Sequence, residues 1–283
     1  MTRADVGQGW TDWGGEGPIL HLAHGNGFPP GTYRRLAEEL CARYHVLSAA
    51  ARPLWHPGRP AELRDWQTLA GDLREQLMGR GLGQVVGVGH SLGAVTTLLA
   101  ANVEPGLFSA VVLLDPVLLS GLGSLAWRAM KALGLRRLLP IARGARRRRD
   151  RWPSRSVARA AWARLPLFAT WDEQVLDDYV DAGLAAAEDG GVRLRYAREW
   201  EARVFEVAPH DAWTELARLQ VPAGLVQGER TDPFLRPAAA RARQVLGADR
   251  VLVVPGTSHF LPMERPADVA QAVIQTLDSL HLK

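Results

Sequence analysis

Gly89-His90-Ser91-Leu92-Gly93 sits between the apolar run Val85-Val86-Gly87-Val88 and a stretch of small and aliphatic residues, Leu92 to Ala101. A strand must end there, turn sharply and enter a helix within a few residues. In that context a G-x-S-x-G sequence is a nucleophile elbow. The turn needs glycine at 89 and 93, because side chains there would collide with neighbouring backbone. Its outcome is an exposed Ser91 hydroxyl at the carboxyl end of a strand, beside a helix N-terminus.

The rest of the chain fits such a turn. Apolar runs predict strands over 18–24, 45–50, 84–89, 110–114, 223–227 and 250–254. Between them, spacings of three and four predict helices over 32–44, 63–78, 92–101, 237–246 and 266–280. Alternating strands and helices imply α/β architecture, a mostly parallel sheet with helices on both faces. The continuous apolarity of the strands agrees, since both faces are then covered. A hydrophobic content of 47% over 283 residues is enough for a large core.

A serine hydroxyl needs a base to act as a nucleophile. His259, in Gly256-Thr257-Ser258-His259, follows the last predicted strand and suits that role. The base needs a carboxylate to hold its tautomer and support its charge. Asp232, after the strand at 223–227, is the first choice. Asp115, after the strand at 110–114, is the alternative, and Glu229 comes third. Two N–H donors should receive the developing oxyanion. They are expected from Leu92, just after the nucleophile, and from Asn26 in the loop His24-Gly25-Asn26-Gly27-Phe28-Pro29. Gly25 and Gly27 let that backbone approach a substrate carbonyl.

The alternation breaks between 116 and 213. This helical, Arg-rich segment reads as a cap inserted in a core formed by 1–115 and 214–283. Residues 128–164 contain thirteen basic side chains against Asp150, a formal +12 in a chain whose total is only +4. That charge suits an anionic substrate, an anionic membrane surface or a solvated helical face. No nucleic-acid module accompanies it, so nucleic acid is not expected as a partner. Six tryptophans (Trp127, Trp152, Trp162, Trp171, Trp200 and Trp213) are expected to form the cap's own core or to line an acyl pocket. Cys41 is the single cysteine, which excludes an intrachain disulfide and a cysteine metal site. It is expected as a buried small residue rather than a nucleophile. Met1–Trp10 lacks the apolar region of a signal peptide, and no apolar run reaches membrane-spanning length. A soluble, cytoplasmic protein is expected.

The sequence resembles the α/β-hydrolase superfamily, in its capped esterase, lipase and epoxide-hydrolase-like branch. The residues that carry the resemblance are His24, Gly25 and Asn26, the elbow Gly89-His90-Ser91-Leu92-Gly93, Asp232 and His259. It spans essentially the whole chain in order, with a cap after the sixth strand as its least matched part. The resemblance implies that the loop at His24 supplies an oxyanion donor and that the acid follows the strand after the cap. It also implies a small-molecule acyl substrate and no metal or organic cofactor. Epoxide hydrolases and dehalogenases carry Asp where this chain has Ser91, so the halide-binding parallel to Asn26 is idle. Prolyl aminopeptidase-like members usually carry Gly-Gly-Ser-Trp-Gly, whereas His90 and Leu92 flank Ser91 here, which favours esterase chemistry. The function expected is cleavage of a carboxylic ester or thioester of a hydrophobic or anionic acyl group through an acyl-enzyme. The alternatives are a cofactor-free lyase or perhydrolase on the same residues, and a catalytically silent binding protein.

Overall fold

The computed structural model describes residues 4–5, 9–56, 58–119, 121–232 and 235–280. Most of the Met1–Trp10 stretch, and Pro233 beside Asp232, lie outside the described residues.

Eight strands form one sheet, in the order β1-β2-β4-β3-β5-β6-β10-β11. These are β1 (Ala4–Asp5), β2 (Trp10–Gly14), β3 (Ile19–Ala23), β4 (His45–Ala49), β5 (Val85–His90), β6 (Phe108–Leu114), β10 (Ala223–Gly228) and β11 (Val251–Val254). From β4 to β11 every neighbouring pair is parallel. The antiparallel edge of β1 and β2 was not expected from the sequence. Residues 10–14, WTDWG, lack the continuous apolarity of the parallel strands because this edge is only partly covered.

Successive side chains of a strand point to opposite faces. Val111 and Leu113 of β6 therefore join one apolar layer, with α2 (Trp66–Arg80) and α3 (Leu92–Val103). Ala110, Val112 and Leu114 join the other, with α1 (Arg34–Leu40) and α12 (Pro266–Ser279). Burying each large aliphatic side chain in these layers contributes roughly 1.5–3 kcal/mol. The chain folds as helix at α2 because Asp65 caps it, accepting the Thr68 N–H at 3.0 Å, and Gly81 closes it at φ +63°. The helix expected over 32–44 is shorter, a 3-10 turn at Pro30–Tyr33 followed by α1. Cys41 ends α1 and is half-buried rather than buried. Burial pushes its thiol up, away from the nucleophilic thiolate.

Between β6 and β10 lie α4 (Gly121–Ala132), α5 (Pro140–Arg147), α6 (Arg155–Trp162), α7 (Glu173–Gly183), α8 (Arg198–Glu206) and α9 (Ala212–Ala217). A small antiparallel sheet sits among them, in the order β7-β9-β8: β7 (Arg151–Trp152), β8 (Leu184–Ala186) and β9 (Val192–Leu194). Strands of two or three residues leave too little periodicity to read. All six tryptophans of this segment are buried, but not in a separate core. Trp127, Trp200 and Trp213 join the layer with α2 and α3, and Trp152, Trp162 and Trp171 join the layer with α1 and α12. The C-terminal part is completed by α10 (Ala238–Leu246), α11 (Leu261–Glu264) and α12. Among the described residues, no helix is long and apolar enough to cross a membrane.

Candidate active site

The elbow is built as the glycines require. A Cβ on Gly89 would run into the Gly93 carbonyl, and one on Gly93 into the backbone of Ala23 and His24. Ser91 is held at φ 54°, ψ −111°, with its N–H donating to the Leu114 carbonyl at 2.9 Å. Such a conformation costs about 1–3 kcal/mol and persists only where the surroundings enforce it. Leu92 is the first residue of α3, so its N–H lies among those with no acceptor inside the helix.

His259 lies in the loop between β11 and α11. Its Nε2 is 3.0 Å from Ser91 Oγ. Its Nδ1 faces Asp115, with Oδ1 at 3.6 Å. Asp115 is fully buried, and its carboxylate accepts the Thr231 hydroxyl at 2.9 Å and the Gly228 N–H at 3.2 Å. Its backbone sits at φ 41°. Ser91 and Asp115 are the two non-glycine residues with positive φ among the described residues. Two strained residues directed at one imidazole from adjacent strand ends are a mark of a functional site. Asp232 is placed differently: it is exposed at the head of the loop after β10, and its backbone carbonyl accepts the N–H groups of Leu235 and Arg236. The structure thus brings together Ser91, His259 and the alternative acid Asp115. Glu229 is turned to the Gly256 N–H at 2.8 Å.

The loop after β3 is pinned by groups with no sequence signature. Asn26 is buried; its Nδ2 donates to the Glu201 carbonyl at 3.0 Å, and its Oδ1 accepts the Tyr196 hydroxyl at 2.8 Å. Its side chain therefore ties the loop to α8 and to Tyr196. Gly27 sits at φ +85° beside the Glu201 carboxylate, where a Cβ would make tight contact. Arg148 donates to that carboxylate at 2.6 Å and to the Tyr179 hydroxyl at 2.9 Å. Burial pushes the Glu201 carboxyl up, and Arg148 only partly reverses this. In the run Arg146–Arg149, two members thus turn inward, since Arg146 pairs with buried Glu206.

His24 is structural, with Nδ1–H donating to the Gly25 carbonyl and Nε2 accepting the Ala51 N–H. His90 bridges three parts of the site. The Gly25 N–H donates to the Tyr33 hydroxyl at 2.8 Å, Tyr33 donates to His90 Nδ1 at 2.7 Å, and His90 Nε2–H donates to the His259 carbonyl at 2.8 Å. Only neutral His90 satisfies this chain. Replacing Tyr33 with Phe strips a partner from two buried groups, the Gly25 N–H and His90 Nδ1. It is expected to lower stability by about 2–4 kcal/mol, measured by denaturant unfolding.

Burial holds three histidines neutral, with His21 and His90 lowered to about 3 and His24 to about 4. The unfolded chain protonates them near 6.5, so it binds more protons than the native state between pH 6.5 and about 3. Stability is complete above pH 6.5 and falls as pH drops through that window, by up to about 1.4 kcal/mol per histidine per pH unit. A steep fall in Tm between pH 6 and pH 4 is expected (roughly two pH units across this window). A flat Tm over that range would contradict it.

One side of the site is aromatic. Phe260 is 5.5 Å from His259 between ring centroids, and Phe28 and Trp171 lie 5.7 and 5.9 Å from Phe260. Tyr179 closes the wall, 5.4 Å from Phe28. Among the described residues, no group of three or more His, Cys, Asp or Glu side chains is arranged to hold a metal ion. A groove of about 1010 Å³ opens elsewhere, beside Trp10, Trp55 and Asp181, and does not include Ser91.

The sequence profile of the Alpha/beta hydrolase family matches residues 22–272, from β3 into α12. The chain belongs to that family. Among curated relatives of this hydrolase, an abhydrolase domain-containing protein of Alternaria alternata, AFT2-1, is 30% identical over 230 residues, covering 69% of this chain and 83% of that one. Lipase LipV of Mycobacterium tuberculosis is 29% identical over 273 residues, 92% and 94% of the two chains. Among solved structures, E-2-(acetamidomethylene)succinate hydrolase superposes with a TM-score of 0.78 at 20% identity, covering 98% of this chain and 99% of the other. A thioesterase domain from the curacin biosynthetic pathway gives a TM-score of 0.74 at 18% identity, covering 94% of each. At these identities the structural likeness speaks for the fold alone.

Proposed function

We propose that this α/β hydrolase cleaves a carboxylic ester or thioester of a hydrophobic acyl group through an acyl-enzyme on Ser91. The observation that carries the reading is the 3.0 Å contact of Ser91 Oγ with His259 Nε2 on a strained elbow. His259 removes the hydroxyl proton as Ser91 attacks the carbonyl. The resulting imidazolium is supported by Asp115, whose buried carboxylate is the one beside Nδ1. The 3.6 Å separation is long for a hydrogen bond, and such contacts commonly tighten only when substrate binds. The N–H groups of Leu92 and Asn26 receive the oxyanion. His259 then gives its proton to the departing alcohol or thiol, and water, activated by the same base, releases the acid.

The wall formed by Phe28, Phe260, Trp171 and Tyr179 supports a hydrophobic acyl group, since aromatic surface beside a catalytic base suits an apolar chain. The lipase named among the relatives and the thioesterase domain among the structures fit the same chemistry. The test is a panel of p-nitrophenyl esters and acyl thioesters graded by acyl length, run on purified protein with analysis of products. Release of acid and alcohol or thiol, with kcat/KM rising with acyl length, is expected. Turnover without release of an acid would overturn hydrolysis in favour of a lyase. Failure of a fluorophosphonate to label the protein would overturn an active serine.

A further inference from the structure

Residues 121–149 contain no aspartate or glutamate and nine basic side chains. The same stretch is unusually rich in exposed aliphatic surface. Of thirteen large apolar residues exposed among the described residues, five lie between 125 and 141: Leu125 at 63%, Leu133 at 71%, Leu135 at 41%, Leu138 at 55% and Ile141 at 56%. They lie on α4, on α5 and on the connection between them. The inward side of this unit is already occupied. Trp127 is buried with its Nε1 on the Ala208 carbonyl, Lys131 Nζ reaches the same oxygen, and Ala142 and Ala145 are buried in α5. The exposed leucines and Ile141 are therefore surplus to the fold's own packing.

The basic groups beside them divide in the same way. Arg146 and Arg148 pair inward with Glu206 and Glu201. Arg128, Arg137, Arg143 and Arg147 are exposed and form no ion pair within the described residues. Exposed aliphatic side chains gathered in one segment and interspersed with unneutralised cations point to an interaction surface. Two kinds of partner fit the charge, an anionic lipid surface and an acidic protein. The apolar residues decide between them. Protein interfaces draw their binding energy mainly from Trp, Tyr and Arg, with leucine under-represented. An interfacial segment instead immerses aliphatic side chains below the headgroups and keeps Arg and Lys at headgroup level.

We propose that the α4–α5 unit docks this hydrolase on an anionic lipid surface, with Leu125, Leu133, Leu138 and Ile141 entering the acyl boundary and Arg128, Arg137, Arg143 and Arg147 meeting the lipid phosphates. Docking is independent of the chemistry at Ser91. The inference therefore stands or falls separately from the proposed reaction, and Ser91→Ala protein binds as the wild type does.

Co-sedimentation of the full chain tests it, with phosphatidylcholine vesicles and with vesicles in which about a third of the lipid is phosphatidylglycerol, so that surface charge is the variable. Binding to the anionic vesicles only is expected, weakening as salt rises. Each basic side chain at such a surface adds about fivefold to partitioning. The triple variant Arg137→Gln, Arg143→Gln, Arg147→Gln should then bind about a hundredfold more weakly. The variant Leu133→Gln, Leu138→Gln, Ile141→Gln should lose at least tenfold, because immersed methylenes are removed. Both should keep wild-type activity on a soluble short-chain ester, which also shows that they fold. Equal binding to neutral vesicles, no binding to anionic ones, or leucine variants that bind like the wild type would each overturn the proposal. The last of these, with soluble polyglutamate displacing the vesicles, would point to an acidic protein. A wild-type dimer that the leucine variants dissociate would assign the patch to self-association and overturn it too.

Discussion

Replacing Asp115 with Asn is expected to lower kcat for ester hydrolysis by about 10⁴-fold, the scale known for removal of a carboxylate behind a catalytic imidazole. The amide matches Asp115 in size and can still accept one of its two donors, the Thr231 hydroxyl or the Gly228 N–H. It cannot support a positive charge on His259, and it presents an N–H where the imidazole needs an acceptor at Nδ1. Asp232→Asn, made in parallel, is expected to change kcat less than tenfold, because Asp232 is exposed and the buried Asp115 carboxylate faces the ring at 3.6 Å. Steady-state kinetics on a single ester, with circular dichroism to verify folding, decides between them. A large loss at Asp232 with a small one at Asp115 would return the role to the loop after β10.

Ser91→Ala is expected to remove esterase activity to background, a loss of roughly 10⁶-fold by analogy of role with other serine nucleophiles. The same change should leave Tm unchanged or slightly raised. The hydroxyl removed is hydrogen-bonded to His259 Nε2, and the Cβ that packs in the elbow is kept, so little packing is lost. Retained turnover in Ser91→Ala, measured on protein free of contaminating esterases, would contradict a covalent route through this serine.

The two expectations differ in how far the sequence announced them. The elbow at Ser91 was legible because it depends on a local backbone shape. Gly89, Gly93 and the strand and helix around them are written in a few consecutive residues. His259 was legible for a similar reason, as it follows the last strand directly. The choice of acid was not local. Asp115 and Asp232 both follow apolar strands, and sequence alone cannot say which carboxylate reaches Nδ1. Asp115 comes to face Nδ1 because β6 lies beside β5 and β10, because of the backbone turn at Asp115, and because the Thr231 hydroxyl holds its carboxylate. Tyr33 escaped notice for the same reason. It lies in an ordinary helical stretch and gains its role only where Gly25 and His90 meet it. Charge counted along the chain likewise does not reveal that Arg148 folds inward onto Glu201. The parallel strands were readable from their unbroken apolarity, whereas the edge strand β2 and the short strands β7, β8 and β9 carry too few patterned residues to stand out.

A covalent acyl-enzyme on Ser91, formed with His259 as base, can be trapped. Purified protein is mixed with a p-nitrophenyl ester and quenched in acid within the first turnover, and its intact mass and tryptic peptides are measured. A gain equal to one acyl group on the peptide that contains Ser91 is expected, absent from Ser91→Ala and formed far more slowly in His259→Ala. An acyl group on any other residue, or turnover in which no acylated protein is trapped while p-nitrophenol appears without a burst, would contradict it.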